Sequence, residues 1–225
     1  MTSSLVANGM RVRWVHQNFV ASGHAGHARA IYNLSALLER GWAVDLVTPD
    51  HSYQEDASLP QDARDQVVSG KLSWHRVAIP NYGPARRGRA YLAFLRQAMR
   101  LERSLPRPDL VFCSTPPLSQ AVSALYSVWR HRVPLVLEVR DLWPAVLVEV
   151  GLLRNRFAVG GFAAAESLAY RMAAQIVSTS PGFRPYLEAM GVPPERIVVA
   201  PHGAPCWQRE HLASQGHAYR RANGL

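Results

Sequence analysis

The chain has 225 residues, 48% of them hydrophobic, and a formal charge of +9 from 25 Lys and Arg against 16 Asp and Glu. That is apolar material for one sizeable core or two small ones, which excludes a disordered or fibrous polypeptide. No apolar run approaches the roughly 20 residues that span a bilayer, and the start "MTSSLVANGMRVRW" lacks a basic-then-apolar leader with a cleavage site, so a cytoplasmic location is expected.

Residues 1–9 read as a flexible extension. A first β-rich run follows at 12–16, then the loop "NFVASGHAGHARA", whose Gly23 and Gly26 let backbone pass close to a ligand. Ile31, Leu34, Leu37 and Leu38 recur at helical spacing, and Gly41 ends that pattern at a C′ position. A second strand is predicted at 44–48, then a polar connection over 50–70, then a third strand at 72–77.

Over 85–105, Tyr91, Leu92, Leu95, Met99 and Leu105 form an apolar stripe. Arg86, Arg87, Arg89, Arg96, Arg100 and Arg103 flank it, with Glu102 as the only acid. The segment serves equally as a core-covering helix with a solvated arginine face or as a basic amphipathic helix at an anionic membrane surface. Strands are predicted at 110–113, 135–139, 176–179 and 197–200, and Leu118, Ala121, Val122, Leu125 and Val128 supply a helix between the first two of these. Strands alternating with helices give an α/β fold, a Rossmann-like parallel sheet covered on both faces. The two cysteines, Cys113 and Cys206, have no metal-type spacing and imply no disulfide framework.

In such a sheet, ligands bind outside the carboxyl ends of the strands. Those ends are punctuated: Gly23, His24 and Gly26 after the first strand, Ser114 and Thr115 after the fourth, Ser180 in "SPGF" after the sixth, His202 and Gly203 in "PHG" after the seventh. The fifth strand leaves the core through "EVRDLWP", which places Glu138, Arg140 and Asp141 where a buried run should end. Each cluster taken alone reads as a tight turn, and Arg140 and Asp141 read also as neighbouring partners that cap the helix opened by Pro144. The glycines of the first loop lack the G-x-G-x-x-G spacing of a dinucleotide site.

The succession "HQNF…SGHAGHARAIYNLSALLERGWAVDLVT", "VPLVLEVRDLWP" and "IVSTSPGFRPYLEAMGVPPERIVVAPHG" resembles the N-terminal, acceptor-side domain of family 4 GT-B glycosyltransferases. Within them it is most similar to polysaccharide and O-antigen sugar transferases of the WbuB/WcaI type. The resemblance covers residues 10–203, with "PHG" where family members carry "PNG" and a first loop less rich in glycine. It implies retaining transfer of a sugar from a nucleotide-sugar donor to an acceptor, commonly polyprenyl-diphosphate-linked, with no cofactor and no metal. It also implies a second Rossmann-like domain that grips the donor, which this sequence does not contain. Residues 204–225 are then a tail or the start of an interdomain linker. The expectation is half an enzyme, inactive alone, its donor-binding half supplied by a second chain or missing from a truncated or relict gene.

Carried over residue by residue, the resemblance implies that Asp141 faces the acceptor and that Arg140 holds an acceptor phosphate or orients Asp141. Gly23, His24 and Gly26 belong to the donor-phosphate loop; Glu138, Ser114, Thr115, Ser180, His202 and Gly203 line the cleft. Arg86, Arg87 and Arg89 face an anionic membrane, so the expected location extends to the inner face of the plasma membrane. A non-catalytic acceptor-binding or partner-recruiting module of a split enzyme is the alternative. Nucleic acid is not an expected partner, because aromatics are not interleaved with arginines and no helix-turn-helix, RNP or zinc pattern occurs.

Overall fold

The computed structural model describes residues 9–19, 28–50, 70–80, 87–203 and 219–224. Residues 1–8, the first-loop residues Gly23, His24 and Gly26, the 51–69 connection, Arg86 and 204–218 lie outside the described residues. The strands are β1 (Arg11–Val15), β2 (Ala43–Pro49), β3 (Leu72–Val77), β4 (Leu110–Thr115), β5 (Leu135–Val139), β6 (Gln175–Ser178) and β7 (Ile197–Val199). The helices are α1 (Ala28–Glu39), α2 (Arg87–Leu101), α3 (Leu118–His131), α4 (Ala145–Glu149), α5 (Arg156–Met172) and α6 (Arg184–Ala189). The strands form one sheet in the order β3-β2-β1-β4-β5-β6-β7, and every pair in it is parallel. This is the Rossmann-like α/β architecture expected from the sequence.

Strand parity divides the apolar residues between two cores. Trp14, Val44, Leu46 and Leu72 pack with Leu34 and Leu38 of α1 on one face. On the other, Val111, Cys113, Leu135, Leu137 and Ile176 meet α2, α3, α5 and α6 through Phe94, Ala124, Tyr170 and Leu187. Burial pushes the Cys113 thiol up, with the Glu138 charge adding to the effect, so this cysteine is an inert core residue. α1 ends as predicted: Gly41 has φ +77°, its N–H donates to Leu38 O at 2.9 Å, and Trp42 N–H donates to Leu37 O at 3.2 Å. Those two bonds satisfy carbonyls that the last turn leaves open.

The stripe read from 85–105 needs correction. α2 turns Ala90, Phe94 and Ala98 to the core, while Leu92 is exposed and Tyr91, Leu95 and Met99 are half-buried. Leu105 lies beyond the helix, which ends at Leu101. Small alanines flanking one phenylalanine let α2 approach α3 closely, and the larger residues are left on its side. Glu102 is likewise no surface charge. It is 4% exposed, and it pairs with the fully buried Arg13 of β1. It also accepts from Ser127 Oγ at 3.0 Å and lies 2.9 Å from His131 Nε2. Arg13 also donates to Pro106 O at 2.7 Å. A buried charge is tolerated only when paired and hydrogen-bonded, and this network, at the amino end of the sheet, fixes α2 and α3 to β1.

Candidate active site

The strand order reverses between β1 and β4, and a crevice opens at the carboxyl end of such a switch point. Polar residues converge there: His16 and Gln17 beyond β1, Ser114 and Thr115 ending β4 and Glu138 in β5 are all at most 4% exposed. Gln120, the third residue of α3, holds the two strand exits together. Its Oε1 accepts from Gln17 N–H at 2.5 Å, and its amide donates to the carbonyls of Ser114 and, at 2.8 Å, Pro116. Ser119 Oγ donates to Gln17 Oε1 at 2.6 Å.

One strand further on, Arg29 in the first turn of α1 donates from Nε to Glu138 Oε1 at 2.5 Å. The same guanidinium donates to Pro201 O at 3.1 Å, so one side chain joins α1, β5 and the chain leaving β7. Burial alone would raise the Glu138 carboxyl. The bonded Arg29 offsets this and holds it below the usual carboxylate range.

Arg140 and Asp141 follow where β5 ends. Arg140 N–H donates to Thr115 O at 3.0 Å and Thr179 N–H to Val139 O at 3.2 Å, which pins the backbone of the exit. The Thr179 hydroxyl adds bonds to the carbonyls of Val139 and Arg140. The Asp141 carboxylate is exposed and forms no hydrogen bond or ion pair among the described residues. It does not cap α4, whose first turn has no side-chain cap. Partial burial raises its pKa above the ordinary value against the opposing charges of Arg140 and His202. His202 is pushed the other way, by partial burial and then by the nearby charges of Arg29 and Arg140, and so is chiefly neutral at pH 7.

Of the residues predicted from sequence, the structure therefore brings Glu138, Arg140, Asp141 and His202 into one electrostatic cluster, with Gly203 next along the exposed exit. Ser114 is buried near the carboxyl end of β4. Thr115 Oγ1 donates to Glu138 O at 3.2 Å, and Ser180 Oγ accepts from Gly182 N–H at 3.2 Å, so both hydroxyls also hold backbone. Arg87 and Arg89 are exposed at the start of α2. Arg29, Gln17 and Gln120 were missed. Gln120 had a signal, a glutamine at the third position of a helix, where side chains reach back over the first turn; Arg29 had none beyond its place after a glycine-rich loop.

The signature described as the glycosyl transferase 4-like domain matches residues 25–203, from just before α1 through the Pro201–Gly203 exit. No curated protein sequence matches the chain. Among solved structures, sucrose-phosphate synthase from Thermosynechococcus elongatus is 14% identical with a TM-score of 0.58, the match covering 87% of this chain and 48% of that one. LpCGTa in complex with UDP is 13% identical with a TM-score of 0.54, over 87% and 53% of the two chains. Arabidopsis thaliana UGT89C1 complexed with UDP is 12% identical with a TM-score of 0.53, over 92% and 57%. These likenesses are of fold, and the chain spans about half the length of the structures it matches. With its signature covering most of the sequence and its sheet that of one half of a GT-B glycosyltransferase, the chain belongs to the glycosyl transferase 4-like domain family.

Proposed function

We propose that this chain is the N-terminal, acceptor-side domain of a retaining glycosyltransferase that moves a sugar from a nucleotide-sugar donor to a lipid-linked acceptor in cell-surface polysaccharide synthesis. The observation that carries the reading is the Asp141 carboxylate, which sits at the carboxyl edge of the sheet beside Arg140 and His202 and has no hydrogen bond or ion pair among the described residues. Two of the fold relatives were crystallised with UDP, which supports a nucleotide-sugar donor.

In the proposed reaction the bond from the anomeric carbon to the donor diphosphate breaks. A bond to the acceptor oxygen forms on the same face, and the acceptor's hydroxyl proton passes to the departing diphosphate. Asp141 accepts a hydrogen bond from that hydroxyl and orients it, and Arg140 contacts an acceptor phosphate. The loop carrying Gly23, His24 and Gly26 is the proposed contact for the charge that develops on the leaving group, on sequence grounds. No resident cofactor or metal takes part in this scheme, which undiminished transfer in EDTA would bear out. The donor-gripping half is supplied by a further domain or by a second chain. The exposed Arg87 and Arg89 support contact with the anionic inner face of a membrane. Among the described residues no helix is long and apolar enough to cross one.

The test is transfer by a two-domain polypeptide carrying this domain. Asp141→Asn is expected to abolish turnover while leaving the fold intact, and near-normal transfer by that variant refutes the assignment. The alternative, a non-catalytic recruiting module, predicts acceptor binding without transfer in every pairing.

A further inference from the structure

Two held stretches of backbone meet at Arg29. One is the end of β5, where Arg140 N–H on Thr115 O and Thr179 N–H on Val139 O pin the strand that carries Glu138 and leads to Asp141. The other is the chain leaving β7, which Ala200 N–H ties to Ser178 O of β6 at 2.8 Å. Arg29 spans the two with separate nitrogens of one planar group. Its Nε donates to Glu138 Oε1 at 2.5 Å, and its Nη1 donates to Pro201 O at 3.1 Å.

Among the described residues, the bond to Pro201 is the last that holds this exit, since His202 and Gly203 are exposed and make none there. It acts where direction is decided. The proline ring sets φ at about −65°, and holding the carbonyl oxygen sets ψ as well. Because the peptide unit is planar, the place of that oxygen also fixes the direction in which the His202 nitrogen departs. Arg29 thus aims the exit, and it does so from Glu138, three residues before Asp141. The anchored end of this strut is buried, with the Glu138 side chain 3% and the Arg29 side chain 16% exposed. A rigid guanidinium fork locks two acceptors at a set separation, whereas an ammonium on a flexible stem is a single point charge that does not.

We infer that Arg29 is a positioning residue for transfer: by clamping Pro201 O to Glu138 it sets the bearing of the exit, and so places a donor-binding half carried on that exit relative to Asp141. The inference rests on the acceptor-side reading above and adds which side chain registers the two halves. Arg29 itself touches neither substrate. Its ion pair with Glu138 serves the fold of the domain, while its second bond, to an exposed carbonyl, sets direction.

The bearing is read in the 225-residue chain by pulsed electron paramagnetic resonance between nitroxides at Glu39→Cys and Gly203→Cys, with Cys206→Ser. Glu39 is exposed at the end of α1, an added Cβ at Gly203 meets nothing within 4 Å, and the fully buried Cys113 stays unlabelled. The distance distribution is expected to be narrow with Arg29 in place. It should become about twofold wider in Arg29→Lys, which keeps a cation beside Glu138 but loses the fork. The same widening is expected in Arg29→Met with Glu138→Gln, which strands no charge. In the polypeptide joined to its donor-binding half, Arg29→Lys is expected to lower kcat by roughly 100-fold, the effect of a misplacement of about 1 Å, with nucleotide affinity unchanged. A merely structural role would lower the melting temperature without that split. An unwidened distribution in both folded Arg29 variants, or full kcat in Arg29→Lys, overturns the inference. Absence of transfer by the unsubstituted joined polypeptide removes the acceptor-side reading alone, because the widths measured in the 225-residue chain still decide whether Arg29 aims the exit.

Discussion

Replacing Arg29 by leucine isolates the most exacting electrostatic demand at the crevice. The Glu138 carboxylate is 2% exposed, and its partner is the Arg29 guanidinium at 2.5 Å, whose side chain is 16% exposed. Removing one member of a buried pair costs about 3–5 kcal/mol, because the remaining charge stays desolvated. Some water reaches Arg29, so a loss of about 3 kcal/mol at pH 7.5 is expected, a large share of the roughly 5–15 kcal/mol that holds a domain folded. The sign with pH is fixed by the carboxyl. In the native pair Glu138 titrates below its unfolded value, so the pair's contribution is complete above the unfolded pKa and is lost as pH falls through the depressed one. Without Arg29, only the Ser114 hydroxyl and the His16 charge oppose burial, and Glu138 is expected to titrate above the unfolded value. Acidification then neutralises the stranded charge, and the deficit of Arg29→Leu shrinks between pH 7.5 and pH 4.5. Glu138→Gln in the same chain should recover more than half of it. Urea denaturation followed by circular dichroism at both pH values reads these quantities. A deficit below about 1 kcal/mol at pH 7.5, or one that does not change with pH, refutes the reasoning.

Asp141→Asn is expected to be neutral or slightly stabilising at pH 7, with the advantage disappearing below the ordinary carboxylate range of about 4. Its folded pKa is raised, so the ionised form favours the unfolded chain; thermal melts across pH check this, and destabilisation at pH 7 contradicts it. Gln120→Ala removes the acceptor for Gln17 N–H and the donor to two carbonyls, at a cost of about 2–3 kcal/mol. Amide exchange of Gln17 should accelerate while that of Arg140, bonded to Thr115 O, stays slow. Arg13→Met leaves Glu102 buried and is expected to cost about 3–5 kcal/mol, whereas Arg13→Met with Glu102→Leu recovers most of the loss; denaturant midpoints for the three proteins decide it.

The sheet was legible because a parallel strand covered on both faces must be apolar on both sides. Runs such as Leu135–Val139 stand out without any partner in view, and each strand end fell within two residues of its predicted place. The polar edge at 138–141 was legible for the same reason, since charges there interrupt a pattern that otherwise predicts burial. The helices were harder. The buried side of α2 is two alanines and one phenylalanine, which weigh less in a periodicity than Tyr91, Leu92 and Leu95, although those line an open groove beside α3 and α5 instead. α5 was not anticipated, because its small residues, Gly160, Gly161 and the alanines at 163–165, give no strong stripe. Arg13 with Glu102 and Arg29 with Glu138 are separated by 89 and 109 residues. Local pattern sets such arginines on a solvated surface, and only the fold reveals which carboxylate each one neutralises.

Sugar transfer itself tests the central claim most directly. A polypeptide joining this domain to its donor-binding half is incubated with a panel of radiolabelled nucleotide sugars and a prenyl-diphosphate-linked acceptor, beside its Asp141→Asn variant and the 225-residue chain alone. Holding donor and acceptor together in a closed cleft is worth roughly 7–11 kcal/mol of the barrier, and one wall cannot supply it. The account predicts label in the lipid fraction with the joined polypeptide only. Sustained turnover by the isolated chain, or equal transfer by Asp141→Asn, would contradict it.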